Sequence, residues 1–572
     1  MGGGSRFSRP RTIGLFFVLA ACLTLLWARL YVLQVRQHHG LAERAARQFQ
    51  KHQPLTTKRG AILDRRGREL AVSVTVASAF AQPALVGDPP GAAAKLAPIL
   101  GLPAAELQKK LTGQRSFTWL RRKLDPPAAQ AVAALNLPGI HLIPESRRYY
   151  PKGPLAAHVL GFVGMDDQGL EGVELQYDAL LGGGQRWVVS QQDALGRPIF
   201  RAEVEARRPI HDLTLTIDEA IQYVTERELQ RAMERTRALA GAVVVLDPRS
   251  GEILALANAP SFDPNRPDRF PPAARRNRAV ADYYEPGSVF KVIMAAAALE
   301  EGVIRPHDRV YGENGAITVA GVRIRDHDKY GWLTFEDVIA QSSNVGAIKV
   351  GLRLGKTLYY DHISGFGFGS PTAIDLPGET PGLIRKPKGW SALSAATLSI
   401  GQEISVTPVQ LLTAVAAIGN GGQLVRPHVA LRVRRADGGA ARELTPPPVR
   451  RVISPEVARD LTGLMVAVVR EGTGKRAAVE GHAVAGKTGT SQKRDPASGR
   501  YSHTKFVASF VGFAPAQDPR VAILIALDEP RGAYYGGAVA APVFREIARE
   551  VLQYLGVPPA EPAPPVQVAR KA

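Results

Sequence analysis

Hydrophobic positions run without a break at one place in the chain and recur with a period elsewhere. Residues 13–35 read IGLFFVLAACLTLLWARLYVLQV, with Arg29 as their one charge. At 1.5 Å per residue such a run makes a helix of roughly 35 Å, enough to cross a hydrocarbon core of ~30 Å. Trp27 and Tyr31 fall near its outer end, where amphipathic rings favour the membrane interface. Arg29 is close enough to that end to snorkel. A cleaved signal peptide would have an apolar stretch of only ~7–15 residues. Leu19-Ala20-Ala21-Cys22 resembles a lipoprotein cleavage box, but the apolar run continues well past Cys22. The pattern predicts an uncleaved anchor at 13–35 behind a short tail, 1–12. Arg6, Arg9 and Arg11 precede the span, while Arg36, Arg44, Arg47 and Lys51 follow it, so the positive-inside bias is weak. The tail is expected inside, with the bulk of the chain exported.

Beyond the anchor the pattern divides in two. Residues 36–208 open with a charged helical stretch and then a compact run, Lys58-Arg59-Gly60-Ala61-Ile62-Leu63-Asp64-Arg65-Arg66-Gly67. Residues 64–67 suit a tight turn between two strands. Residues 88–135, rich in Ala, Pro and Leu, carry helical spacing. No nucleophile–base arrangement occurs here, so 36–208 is read as a non-catalytic scaffold or docking domain. From 212 the texture changes. Asp212-Leu213-Thr214-Leu215-Thr216-Ile217 alternates like a strand, and 220–240 is periodic like a helix. Apolar runs at 242–247 and 252–257 flank Pro248-Arg249-Ser250-Gly251, a hairpin signal. A second pair spans 506–513 and 521–527, and 543–555 reads as a closing helix. Helices lie between the two hairpins. That order predicts an α+β domain at 209–556, an antiparallel sheet with helices beside it. The Pro- and Ala-rich residues 557–572 read as a disordered tail.

Composition narrows the picture only a little. The chain has 572 residues, 45% hydrophobic and 22% charged, which suits more than one domain with real cores. Cys22 is the single cysteine, so no internal disulfide forms. The net charge of +20 suits an anionic partner, whether nucleic acid, a membrane surface or an acidic polymer, and equally a solvated basic surface with no such partner. No basic stripe interleaved with aromatics occurs, so nucleic acid is not the expected partner. His141, His158, His362, His482 and His503 are scattered, and no metal site or cofactor is expected.

Three short patterns carry candidate chemistry: Ser288-Val289-Phe290-Lys291, Ser342-Ser343-Asn344 and Lys487-Thr488-Gly489-Thr490. Pro286-Gly287 breaks the chain before Ser288, and the Ala-rich run after Lys291 is a strong helix former. Ser288 is therefore expected at a helix N-terminus, with Lys291 on the same helical face and within reach of its hydroxyl. A serine hydroxyl is a weak nucleophile until a base takes its proton. A lysine is such a base if burial or a second cation lowers its pKa, and Lys487 is the candidate second cation. Ser342 can relay a proton, and Asn344 can hydrogen-bond a substrate amide. Thr334, with Asp337 three residues on, suits a helix cap just before this turn. Lys487-Thr488-Gly489-Thr490 follows 483–486, read as a short strand. Gly489 lets a ligand backbone approach, and an extended peptide can pair along the edge. Lys487, Thr488 and Thr490 can hold a carboxylate, and the Ser288 and Thr490 N–H groups can form an oxyanion hole. Another match, Ser502-His503-Thr504-Lys505, reads as a strand start, where positions i and i+3 face opposite ways.

The three patterns, in this order, resemble those of the penicillin-recognising serine enzymes. The anchor, the Arg59-Gly60…Asp64-Arg65…Gly67 run and Gly169-Leu170-Glu171-Gly172-Val173-Glu174 look like class B penicillin-binding proteins. Glu285-Pro286-Gly287-Ser288, Phe366-Gly367-Phe368-Gly369 and Ser399-Ile400-Gly401-Gln402-Glu403-Ile404-Ser405-Val406-Thr407-Pro408 are most similar to the division-specific transpeptidase. The resemblance implies a transpeptidase domain, a pedestal at 36–208 and a D,D-transpeptidase reaction. Ser288 is then the nucleophile, Lys291 the base and Ser342 the relay. Asn344, Lys487, Thr488, Gly489 and Thr490 line the substrate. Implied partners are peptidoglycan stem peptides, β-lactams, a membrane glycan polymerase, other cell-division proteins and the inner membrane. Residues 36–208 are too few for a glycosyltransferase domain and lack an E-D-x-x-F signature. The elongation-specific relative and a β-lactam-hydrolysing or carboxypeptidase relative are the alternatives.

Overall fold

The computed structural model describes residues 9–41, 50–55, 58–113, 117–182, 186–192, 198–204, 209–444, 449–495 and 498–560. The chain divides into two compact units, one of residues 1–57 with 183–208 and one of residues 58–182 with 209–572. In the first, a helix spans Arg9–Tyr31 and runs on into a π-helical turn, Val32–Arg36. Phe16, Phe17, Leu25 and Trp27 stand about two-thirds or more exposed on it. Among the described residues it is the one helix long and apolar enough to cross a membrane. The same unit holds a three-stranded antiparallel sheet of Gln50–Leu55, Arg186–Gln192 and Pro198–Val204.

The second unit contains two large sheets. One has seven strands, and its path joins the two halves of the sequence: Ile62–Leu63 lies parallel to His211–Leu215 and antiparallel to Glu69–Ala81. The turn expected at 64–67 is present, with the Gly67 N–H donating to Asp64 O at 3.0 Å. Residues 88–135 depart from expectation. Helices Pro89–Leu100, Ala104–Leu111 and Pro126–Ala134 form, but Thr118–Leu124 between them is a strand paired with Glu69–Ala81. Its buried residues are Leu120 and Leu124. A spacing of four puts two side chains on one face of either a helix or a strand, so periodicity does not separate the two there.

Next to this sheet lies a buried ionic cluster. Arg59 donates to Glu174 Oε2 at 3.0 Å, to Asp178 Oδ1 at 2.6 Å and to the carbonyls of Asp167 and Glu174. Arg148 donates to the other Glu174 oxygen at 2.6 Å and to Gly60 O at 2.8 Å. The Arg59 and Glu174 side chains are 3% and 0% exposed. The cluster ties residues near 60, 148 and 174 into one block.

The remainder is the α+β domain. Its elements in chain order are α1 (Glu219–Thr236), β1 (Ala240–Leu246), β2 (Ile253–Ala259), α2 (Lys291–Glu300), α3 (Phe335–Ala340), α4 (Asn344–Arg353), α5 (Pro408–Gly419), α6 (Pro455–Arg470), β3 (Ala485–Arg494), β4 (Tyr501–Ala514), β5 (Val521–Asp528) and α7 (Ala541–Tyr554). The five strands form an antiparallel sheet in the order β2-β1-β5-β4-β3. β1 and β2 are buried at every residue, because helices cover both faces. Val243 and Val245 pack toward α1 and α7, while Ala242 and Val244 pack toward α5. α2 is the core helix, buried from Lys291 to Leu299, and its run of four alanines lets neighbouring elements approach closely. α3 and α5 each begin with a capping box, Thr334 with Asp337 and Thr407 with Gln410.

Removing one member of a buried ion pair strands the other in a low dielectric. Arg59→Ala is expected to destabilise the protein by about 3–5 kcal/mol, read as a lowered thermal unfolding midpoint. Arg545→Ala, at a solvent-exposed pair with Glu546, should leave that midpoint in place.

Candidate active site

Pro286 and Gly287 turn the chain into α2. Gly287 takes a φ of +56°, and its N–H donates to Gly401 O at 3.1 Å. Gly401 takes a φ of +75°, and a Cβ there would fall 2.0 Å from Gly287 O. Two glycine backbones thus meet back to back and hold the 3-10 turn Gly287–Phe290. Ser288 sits in that turn, partly exposed, and Lys291 opens α2, wholly buried.

α3 ends at Ala340, and Ser342 then takes a left-handed φ of +61°. A non-glycine residue there costs on the order of 1–3 kcal/mol unless its surroundings hold it. Here they do. Ser343 caps α4, its Oγ accepting from the Gly346 N–H at 3.0 Å and donating to Asp326 Oδ2 at 2.7 Å. Asp326 Oδ1 accepts the N–H groups of Asn344 and of Val345, the latter at 3.0 Å. Asn344 Nδ2 donates to Arg325 O at 2.8 Å, which turns its Oδ1 inward.

Both lysines converge on this turn. Lys291 Nζ donates to Ser342 O at 2.5 Å, Ser342 Oγ at 3.1 Å and Asn344 Oδ1 at 2.8 Å. Lys487 Nζ donates to the same Ser342 Oγ at 3.0 Å and to Thr488 O at 3.3 Å. Both side chains are 0% exposed. Burial brings the Lys291 ammonium down to about 7, with the Asp326 carboxylate pulling the other way. Burial, and then the neighbouring Lys291 charge, holds Lys487 well below the ordinary lysine range. Of the two expected ways to depress Lys291, burial is the one that acts, while the second-cation effect falls on Lys487. The Lys291 ammonium, expected within reach of the Ser288 hydroxyl, gives its hydrogen bonds to the Ser342–Asn344 turn. An ammonium has three donors and no acceptor, and all three of these donors already have partners. Loss of one proton frees a lone pair.

The third pattern lies inside β3, which begins at Ala485 and continues through it to Arg494, rather than ending before it. Lys487 and Gly489 lie on one face of the strand, and Thr488 and Thr490 on the other. Thr488 Oγ1 lies 2.7 Å from Thr473 Oγ1, and the Gly536 N–H donates to Thr490 Oγ1 at 3.0 Å. β3 pairs with β4 alone, Lys487 opposite Val511 and Thr490 opposite Ala508, so it is the edge strand of the sheet. A Cβ on Gly489 would fall 2.8 Å from Val289 Cγ2 and 2.9 Å from Pro286 O. The strand and the Ser288 turn are in contact there. Ser502 and Lys505, by contrast, lie on β4, with Lys505 exposed. Among the described residues no group of His, Cys, Asp and Glu side chains suits a metal ion.

Two buried amines thus meet on the Ser342 hydroxyl, and the Ser288 turn packs against the edge strand that carries one of them. Residues 241–549 match the penicillin binding protein transpeptidase domain, and residues 54–215 match the penicillin-binding protein dimerisation domain. The chain is 37% identical over 562 residues to peptidoglycan D,D-transpeptidase FtsI of Escherichia coli (strain K12), covering 95% of this chain and 92% of that one. The chain belongs to the class B penicillin-binding proteins. It is a peptidoglycan D,D-transpeptidase of the serine type. Another class B relative is stage V sporulation protein D of Bacillus subtilis, 36% identical over 541 residues, with 93% of this chain and 83% of that one covered. In three dimensions the chain resembles penicillin binding protein 3 from Mycobacterium tuberculosis complexed with aztreonam, with a TM-score of 0.70 at 30% identity, over 90% of this chain and 99% of that one.

Of the expected site residues, Lys291, Ser342, Asn344 and Lys487 are joined by hydrogen bonds, Gly489 packs against the Ser288 turn, and Thr488 and Thr490 rest on Thr473 and Gly536. Asp326, Thr473 and Gly536 belong to none of the three patterns, and each contacts one of them. A lone Asp after a short hairpin carries no periodic or spacing signal, whereas the Gly536-Gly537 pair at least marks a close approach. Gly489→Ala is expected to push the Ser288 turn off β3 and cut the rate of acylation by a fluorescent penicillin ~10²-fold. A rate within twofold of the parent would contradict that packing.

Proposed function

We propose that this cleft cross-links peptidoglycan stem peptides through an acyl-Ser288 intermediate. The observation that carries the reading is the convergence of both lysine Nζ atoms on one Ser342 hydroxyl, at 3.1 and 3.0 Å. In this reading Lys291, once neutral, accepts the Ser288 proton as Oγ bonds to the D-Ala–D-Ala carbonyl carbon. The Ser288 and Thr490 N–H groups receive the negative charge on the carbonyl oxygen. Ser342 passes a proton to the leaving amine as the C–N bond breaks and D-Ala departs. The amine of a second stem then attacks the ester, loses its proton through the same groups, and returns Ser288 to its hydroxyl form. Asn344 binds the donor amide; Lys487, Thr488 and Thr490 hold the terminal carboxylate; the peptide lies along the β3 edge past Gly489.

Residues 13–35, carried by the helix Arg9–Tyr31 and its continuation Val32–Arg36, are the membrane anchor, with residues 1–12 on the cytoplasmic side and the catalytic domain outside the inner membrane. Residues 36–208 form the pedestal and 209–556 the transpeptidase domain, a division that the matched ranges 54–215 and 241–549 support. Glycan polymerisation falls to a separate membrane enzyme working with other division proteins. The Glu285-Pro286-Gly287-Ser288 and Phe366-Gly367-Phe368-Gly369 segments support a septal role. A fluorescent fusion expressed in its own host is expected at mid-cell, and side-wall localisation would assign it to elongation instead.

The direct test is labelling with a fluorescent penicillin. Stoichiometric labelling of the full chain is expected, with none for Ser288→Ala; labelling that survives the substitution puts the nucleophile elsewhere. The pH dependence follows from Lys291. Below about 7 its ammonium cannot accept a proton, and above that it is neutral. Acylation is therefore expected to rise with pH through about 7 and to fall away on the acid side.

A further inference from the structure

Asp326 stands outside every sequence pattern, yet it reaches the turn on which both lysines depend. It follows the strand Val322–Arg325, and its own N–H donates to Gly315 O at 2.9 Å, which fixes the loop. The first N–H groups of a helix have no partner within the helix. In α4 the Ser343 side chain satisfies Gly346, and the Asp326 carboxylate satisfies Asn344 and Val345. The remaining Asp326 oxygen accepts the Ser343 hydroxyl at 2.7 Å. The adjacent Arg325 carbonyl holds Asn344 Nδ2, so Asn344 presents its Oδ1 to Lys291. A continuous set of contacts thus runs from the Asp326 carboxylate to the Lys291 amine.

Resting on the reading of Lys291 as the base, we propose that Asp326 is a positioning residue for acyl transfer: its carboxylate holds the 342–345 turn against the two lysines and supplies the negative charge that faces Lys291. The charges around Lys291 come from two elements. Lys487 faces it from β3, and Asp326 faces it from the 325–330 loop. Arg325, His327, Asp328 and Tyr330 flank Asp326 on that loop. The same loop reaches the opposite wall of the cleft. The His327 ring stacks on Tyr535 with centroids 5.6 Å apart, and Tyr535 precedes Gly536, whose N–H holds Thr490. Asp326 thereby steadies the turn from one side while its neighbour rests on the support of β3.

A cap that is only structural would lower the rate without moving the protonation of the base. A cap that also supplies charge moves both, and a pH profile separates the two. The full chain in detergent is acylated with a fluorescent penicillin from about pH 5 to pH 9, with thermal unfolding recorded alongside. Asp326→Asn keeps the size of the side chain and removes its charge. Its acid midpoint is expected to move down by roughly one pH unit, with the plateau rate ~10²-fold lower. Asp326→Glu keeps the charge and displaces the carboxylate, so its plateau falls while its midpoint stays. An unshifted midpoint in a folded Asp326→Asn protein overturns the proposal. If Asp326→Asn does not fold, a parental plateau in Asp326→Glu overturns it instead. Should Ser288→Ala still label, or the parent show no acid limb near 7, the reading of the site itself falls and the proposal with it. A silent Ser288→Ala beside an unshifted Asp326→Asn leaves that reading standing and removes the proposal alone.

Discussion

Two amines withdrawn from water onto one serine hydroxyl are the constraint around which the catalytic domain is built. An isolated buried ammonium costs several kcal/mol after relaxation, and two beside each other cost more. The protein meets that cost by surrounding them with acceptors, the Ser342 carbonyl and hydroxyl and the Asn344 amide oxygen, and by letting Lys291 give up its proton near neutrality. Folded, Lys291 binds its proton less tightly than in the unfolded chain, so between about 7 and 10.5 the unfolded chain carries more protons. Stability therefore rises as pH rises through that window, and at neutral pH the buried amine costs some of it.

The elements that deliver these groups are distant in sequence and rigid in space. α2 is buried along nearly its whole length, so Lys291 is fixed by the core rather than by solvent-exposed packing. β3 is the sheet's edge strand, which leaves one row of backbone groups for a peptide while β4 holds the other. Between them the left-handed Ser342 is the strained piece, kept in place by a capped helix, an external carboxylate and two amines. Close approach does the rest: Gly287 on Gly401, and Gly489 under Val289, where any side chain would force the walls apart.

Much of this was legible in the chain, for identifiable reasons. The apolar run at 13–35, the hairpins around Pro248-Arg249-Ser250-Gly251 and before Val521, and the Ala-rich helix after Lys291 each have a single strong period or breaker. The three chemical patterns drew their force from order and local structure together. What escaped was set by tertiary contact. Thr118–Leu124 became a strand because Glu69–Ala81 offered it an edge, and its apolar spacing of four fits either state. The strand joining Ile62 to Leu213 crosses roughly 150 residues, a pairing no local window contains. Asp326 and Thr473 act on groups 15 or more residues away, without periodicity to reveal them. The division of depression between Lys291 and Lys487 followed from burial, which spacing alone does not report.

The two amines are buried together, and burial brings Lys291 to about 7. Lysine-selective ¹³Cε NMR on the full chain in detergent, assigned with Lys291→Arg and Lys487→Arg, measures it directly. Two resonances are expected to titrate apart from the rest, that of Lys291 near 7 and that of Lys487 also far below the ordinary range. Both titrating with the solvent-exposed lysines, near ~10.4, would contradict that burial.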